Sequence, residues 1–366
     1  MYYREAGRLV KSFASDRRML PLMEDRWIVI AFLAFMYIVV TATASDYLFS
    51  AILIPMMVLG VATLGLNIAT GYTGQLSLGT AGFMCFGAFA AFNLVLRLEM
   101  YLPFAFFFAG VIAGLVGIVF GLPALRIKGF YLIVSTLAAQ FFAEWVFNAY
   151  PWFLDNNSSG VVALPPHHYK VFLGQESTPF NAVFWHSYQG RYLITLTITL
   201  LLVLACKNMV RSATGRNWMA VRDMDIAANV IGISVAKTKL MAFFISTFYC
   251  GVAGAMYAYC YIGNLDFMIF NLRRSFLIMF MVIVGGLGSI LGSFLGAIFV
   301  YGWPILITRM GDWIFGGGTL DTAFVENNSK IVVGTIIIVL LIREPGGFAA
   351  LWLTTKKKLR SWPFAN

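Results

Sequence analysis

Glu144 is the one acidic side chain well inside an apolar run of this 366-residue sequence, and Gln140 lies four residues before it. An ionisable group in hydrocarbon is costly, so an acid so placed has to face a protein interior, find a partner or be neutralised. Two chemistries fit such a pair: contact with a polar solute, or a structural hydrogen bond near an interface. A second polar group sits in Gly71-Tyr-Thr-Gly74-Gln75-Leu-Ser77-Leu-Gly79-Thr80-Ala-Gly82, with Asn67 four residues upstream. Backbone freed from helical bonding at membrane depth persists only where protein or a water-lined cavity satisfies it, so the stretch marks a candidate solute path. The same glycines would equally let helices pack closely. Asn67, Gln75, Ser77, Thr80, Gln140 and Glu144 are the candidate path residues.

Other chemistries lack their residues. No Gly-Lys-Ser/Thr element occurs, so the chain has no phosphate-cradling loop of that kind. The histidines are His167, His168 and His186, all in one polar segment, and no His-Glu-x-x-His pattern is present. Neither a catalytic set nor a metal-ligand set emerges, so the reading is not an enzyme. Cys85, Cys206, Cys250 and Cys260 fall in or beside apolar runs and read as small packing residues rather than a disulfide framework.

The elements that must position these groups are membrane spans. The sequence is 60% hydrophobic and 11% charged, against about half and about a quarter for a soluble domain. The apolar residues are gathered into blocks approaching the ~20 residues that a spanning helix needs. The reading is all-α and polytopic, with about ten spans (eight to ten, since Gly-rich segments could be re-entrant). They are drawn at 27–43, 50–70, 78–96, 103–121, 129–148, 191–206, 238–262, 274–290, 292–308 and 330–343. The first block could also be a signal peptide ending at Ala42-Thr43-Ala44, but its long basic lead favours a span.

A net charge of +10 could point to nucleic acid, but its placement points to the membrane. With both termini cytoplasmic, 19 of the 26 basic residues lie on the cytoplasmic side against seven outside, as the positive-inside rule requires. The organisation is then a basic cytoplasmic segment 1–26, a transmembrane domain 27–343 and a cytoplasmic tail 344–366. Within the domain lie an extracytoplasmic loop 148–190 and a cytoplasmic loop 207–237. The outer loop is long enough to cap a pore or receive a soluble partner. Lys356 to Lys358 with Arg360 read as a topology anchor.

Two further motifs remain. Val284-Gly285-Gly286-Leu-Gly288-Ser289 interrupts the late apolar pattern, so Gly285, Gly286 and Gly288 join Gly71, Gly74 and Gly79 as hinge or packing glycines. In the cytoplasmic loop, Thr214 to Gly232 reads as one amphipathic helix. Val221, Met224, Ala228 and Ile231 share one face, Arg222, Asp225 and Asn229 another, and Gly232 is placed to end it. Such a helix could lie on the membrane or be gripped by a partner's groove.

These elements resemble, from about residue 50 to 350, the branched-chain amino acid permease family of bacterial ABC importers, the LivM-type subunit. Gly71-Tyr-Thr-Gly-Gln-Leu-Ser-Leu-Gly79, Ala124-Leu-Arg-Ile-Lys-Gly-Phe-Tyr131, Gly215-Arg-Asn-Trp-Met-Ala-Val-Arg222 through Ala227-Ala228 and Gly232, Val284 to Ser289, and Arg343-Glu-Pro-Gly-Gly347 follow in family order. Thr80 stands where the family usually has His, and Ile226 where the broader importer motif has Glu. The resemblance implies a bacterial inner-membrane permease working by alternating access. It implies a second homologous permease subunit, two cytoplasmic ATPases and an extracytoplasmic solute-binding protein as partners, with no nucleic acid. ATP and Mg would be bound by the ATPases, leaving this chain without a cofactor. Arg222, Asp223, Asp225, Ala227, Ala228 and Gly232 would form the ATPase-coupling segment. Branched-chain amino acids are the implied solutes, with urea, short amides and aromatic carboxylates open. A channel or secondary transporter working without an ATPase is the alternative.

Overall fold

The computed structural model describes residues 23–126, 131–157, 160–164, 187–314, 327–328, 331–332, 334–336, 338–339, 342 and 346–361. Most of segment 1–26, the three histidines, residues 127–130 of the Ala124–Tyr131 turn, Arg343 to Pro345 and much of the drawn span 330–343 lie outside them.

Eight helices among the described residues are long and apolar enough to cross a membrane. They are α1 (Arg26–Thr43), α2 (Leu48–Tyr72), α3 (Thr80–Leu98), α4 (Leu102–Arg126), α5 (Tyr131–Ala149), α6 (Tyr188–Arg211), α9 (Val235–Ile262) and α11 (Ile290–Ile314). The chain is therefore an all-α polytopic membrane protein, as its composition predicts. Between them lie two short helices, α7 (Ala213–Asp223) and α8 (Asp225–Val230). Helix α10 (Leu272–Gly285) has 14 residues, about 21 Å at the helical rise. That falls short of a bilayer core of about 30 Å. The drawn span 274–290 is thus a shorter helix stopped at Gly286, whose φ of 111° no ordinary side chain favours. Helix α12 (Gly347–Ser361) follows at the C-terminal side.

The bundle is built around α9. Lipid offers no hydrophobic drive between helices, so close backbone packing has to hold them. The run Cys250-Gly-Val-Ala-Gly-Ala255 supplies it: a Cβ at Gly254 would meet Met84 O of α3, and one at Gly251 would meet Ala113 of α4. On the facing helix, Gly87 lies against the Gly251 backbone. Phe83, Phe89, Phe106 and Phe243 fill the space between these crossings, and all four cysteines are buried and free. Helix α1 is peripheral, attached through Met36 O, which accepts from the Tyr192 hydroxyl at 3.1 Å.

Two short strands, β1 (Val161–Ala163) and β2 (Asn264–Asp266), pair antiparallel with Val162 opposite Leu265. They fasten part of the 148–190 loop to the connection between α9 and α10. Arg97, at the same end of α3, donates to Trp152 O at 2.8 Å with its guanidinium 3.7 Å above the Trp152 ring.

Candidate functional site

Helix α2 runs to Tyr72, with Thr73 as its cap, and Gly74 to Gly79 continue as non-helical chain before α3 begins. Released backbone in such a place has to be satisfied by other elements. Helix α5 does this, running beside the break and α3. Leu78 N donates to Thr136 Oγ1 at 3.0 Å and Gly82 N to Gln140 Oε1 at 2.6 Å, while Ala81 N donates to Ser275 Oγ of α10 at 2.9 Å. Three donors at the start of α3, which has no capping side chain of its own, are thus held by neighbouring helices.

Gln140 is the centre of this cluster. It is fully buried, and its Oε1 also accepts from Ser275 Oγ at 3.0 Å. Its Nε2 donates to Phe270 O at 2.6 Å and to Glu144 Oε1 at 3.0 Å. Glu144, half-buried, is therefore fastened to a helix-start cap. Thr80, the first residue of α3, is 1% exposed, and its hydroxyl has no hydrogen-bond partner among the described residues.

A second cluster joins the two glycine breaks. Asn67 is fully buried on α2; its Nδ2 donates to Ser289 O at 2.9 Å and Ser293 Oγ at 2.8 Å, and its Oδ1 accepts from Gly288 N at 2.8 Å. All three partners belong to the α10–α11 turn or the first turn of α11. Gly71 lies against the same place, since a Cβ there would fall on Asn67 Oδ1 and Gly288 N. Gly288 itself has φ 75°. Gly285 backs onto Gly292 O of α11, and Gly286 onto Gly346 O just before α12, so the described part of the Arg343–Gly347 motif packs on this turn.

The helix pair α7–α8 reaches this junction. Arg222 lies along Gly74 (φ 71°), donates from Nη1 to Gly71 O at 3.0 Å and from Nε to Asp223 Oδ1 at 2.9 Å. Gln75, also buried, donates from Nε2 to Lys239 O at 3.1 Å, and Lys239 Nζ stands 3.8 Å from Asp225 Oδ2. Ser77 is buried in the same connection.

The single amphipathic helix expected over Thr214–Gly232 is two helices. Met224 is extended (φ −152°, ψ 95°), which resets the helical period between α7 and α8. The expected shared face is consequently divided. Val221 and Ala228 are buried, whereas Met224 is 71% and Ile231 73% exposed. Ile226 and Val230 join the exposed set, and Ala227 is exposed beside them. Gly232 does end α8: its φ is 89°, and Ile233 N donates back to Ala228 O at 3.0 Å.

The candidate residues therefore fall into three places. Asn67, Gly71, Gly74, Gly285, Gly286, Gly288 and Arg222 meet at the junction of the breaks. Thr80 and Gln140 stand at the start of α3, where Gly79 lies against Thr136 O, with Glu144 bonded to Gln140 one turn along α5. Asp223, Asp225, Ala227 and Gly232 lie on the outer helix pair. Thr136, Ser275, Ser289 and Ser293 are hydrogen-bond partners of these groups that the sequence reading passed over. Thr136 carried a signal, because Thr136, Gln140 and Glu144 recur every four residues along one helix face. An apolar cleft of about 740 Å³ between α2 and α11, lined by Ile52, Met56, Ile298, Phe299 and Trp303 among others, includes none of the candidate path residues.

A family model described as branched-chain amino acid transport system / permease component matches residues 48–341. The high-affinity branched-chain amino acid transport system permease protein LivM of Escherichia coli (strain K12) is 27% identical over 318 residues, covering 80% of this chain and 67% of that protein. The protein of the same description from Salmonella typhimurium (strain LT2) is 26% identical over the same shares. No solved structure matches the chain. With its eight apolar helices and a family match that spans most of its length, the chain belongs to the permease-component family of branched-chain amino acid transport systems and is a multi-pass protein of the inner membrane.

Proposed function

We propose that this chain is the membrane-spanning permease subunit of an ATP-driven importer for branched-chain or similar small amino acids. The observation that carries the reading is the exposed row Met224, Ile226, Val230 and Ile231 on α8 and its flanks, held out from the bundle by buried Val221 and Ala228. A short helix offering apolar side chains between Asp223, Asp225 and Lys239 is a shape that a partner's groove can grip. The loop that carries it and both termini are assigned to the cytoplasm by the distribution of basic residues. In this reading ATP and Mg belong to two cytoplasmic ATPases, a homologous permease completes the membrane part, and an extracytoplasmic binding protein delivers the solute. The names of the two relatives support branched-chain amino acids as that solute.

Burial decides which substitutions test the docking surface. Ala228 lies under α8, so a large side chain there would disturb the helix itself as well as any contact. Ile226→Asp with Val230→Asp changes exposed positions alone. In detergent, the tagged wild-type chain is expected to co-purify with ATPase subunits encoded beside it, and the double variant to lose at least nine-tenths of them while eluting as the same monodisperse species. Association undiminished in the double variant would remove α8 as the docking element, and no association with wild type would favour a channel or secondary transporter.

A further inference from the structure

Three features set Arg222 apart from the exposed docking row of α8. Its stem lies over Gly74, its guanidinium bonds Gly71 O, and the same Nη1 lies beside Gly288. Gly71 O belongs to the last turn of α2, where carbonyls have no helical partner and the helix dipole leaves partial negative charge. A cation there satisfies an orphan acceptor and complements the dipole. One residue of the exterior helix pair therefore touches both glycine breaks where Asn67 has already tied them together through Gly288 N, Ser289 O and Ser293 Oγ. Asp223 holds the guanidinium from its other side at 2.9 Å, fixing its direction.

We propose that Arg222 is a positioning residue that transmits displacement of α7–α8 to the joined breaks, so that the outer helices cannot move without shifting Gly71 against Gly288. The proposal rests on the importer reading for the source of the displacement, but the latch itself is a property of this chain. Gln75, bonded to Lys239 O at the start of α9, makes a second tie from the same connection. Its direct partner is a membrane helix, and it reaches α8 only through the longer Lys239–Asp225 contact of 3.8 Å, whereas Arg222 spans the two parts in one side chain.

The test has two arms. In the assembled transporter reconstituted with its binding protein, Arg222→Ala should keep its ATPase subunits and hydrolyse ATP within about twofold of wild type, while solute moved per ATP falls at least tenfold. Arg222→Lys, which keeps the charge and one donor, should recover a substantial part of that ratio; a purely structural lesion would lower hydrolysis and transport together. In the purified chain without partners, amide exchange in peptides covering 71–75 and 286–289 should rise about tenfold in Arg222→Ala. Unchanged exchange, an unchanged transport-to-hydrolysis ratio, or loss of the ATPase subunits from Arg222→Ala would each overturn the proposal. If wild type binds no ATPase, the importer reading fails and the exchange arm alone decides the latch.

Discussion

Gly71→Ala is expected to force the two glycine breaks apart. The added methyl would fall on Asn67 Oδ1 and on the backbone nitrogen of Gly288; the second is main chain, and the first is a side-chain end pinned by three hydrogen bonds. Overpacking of this kind costs about 1–3 kcal/mol. Separating the breaks also strands the Gly288 N–H that Asn67 now accepts, worth about another 1–3 kcal/mol when buried. A fall of roughly 5–10 °C in the temperature at which the detergent-solubilised chain loses its monodisperse peak is the expected result. Gly334→Ala serves as the control, because nothing among the described residues lies within 4 Å of a Cβ at that position. Equal melting of the two variants would show that the Gly71–Gly288 contact contributes little to the fold.

Gln140→Leu separates the two roles left open for the polar pair on α5. A leucine of similar size leaves Gly82 N–H, Phe270 C=O and the Ser275 hydroxyl without their present partner, in a setting where water does not replace it. With each orphaned group costing about 1–3 kcal/mol, the start of α3 should come loose and little folded protein should be recovered. Gln140→Glu retains an oxygen acceptor for Gly82 N but loses the donor to Phe270 O and sets a second carboxyl against Glu144, so an intermediate yield is expected. If Gln140 instead served chiefly to line a solute path, Gln140→Leu would purify and melt like wild type while uptake fell. Yield and melting temperature, measured beside uptake, distinguish these results.

The glycine breaks were legible in the sequence because clustered Gly with polar neighbours cannot be read as continuous spanning helix. Their meeting was not. Nothing in the pattern pairs Asn67 with a turn more than 200 residues later, and the decisive groups on the far side are a backbone N–H, a backbone carbonyl and two serines. Gln140 and Glu144 were visible as polar exceptions in an apolar span, but their spacing fits a solute contact as well as a cap. Only Ser275 and Phe270 O, brought from α10 and its approach, show what Gln140 holds. The cytoplasmic segment illustrates a different limit. Its helical period runs through Met224 only if the helix is unbroken; that one extended residue splits the expected face, burying Val221 and Ala228 and exposing Met224 and Ile231 with Ile226 and Val230. The short α10 was overdrawn because apolar residues continue beyond Gly286, whose positive φ ends the helix.

The central claim is that the bundle moves solute when an ATPase pushes on α7–α8. The most direct measurement is uptake of radiolabelled leucine into proteoliposomes holding the assembled transporter, with binding protein present, comparing hydrolysable ATP with a non-hydrolysable analogue. The account predicts uptake that requires hydrolysis and is abolished by Ile226→Asp with Val230→Asp. Uptake at the same rate without ATP hydrolysis, and unaffected by that double substitution, would contradict it.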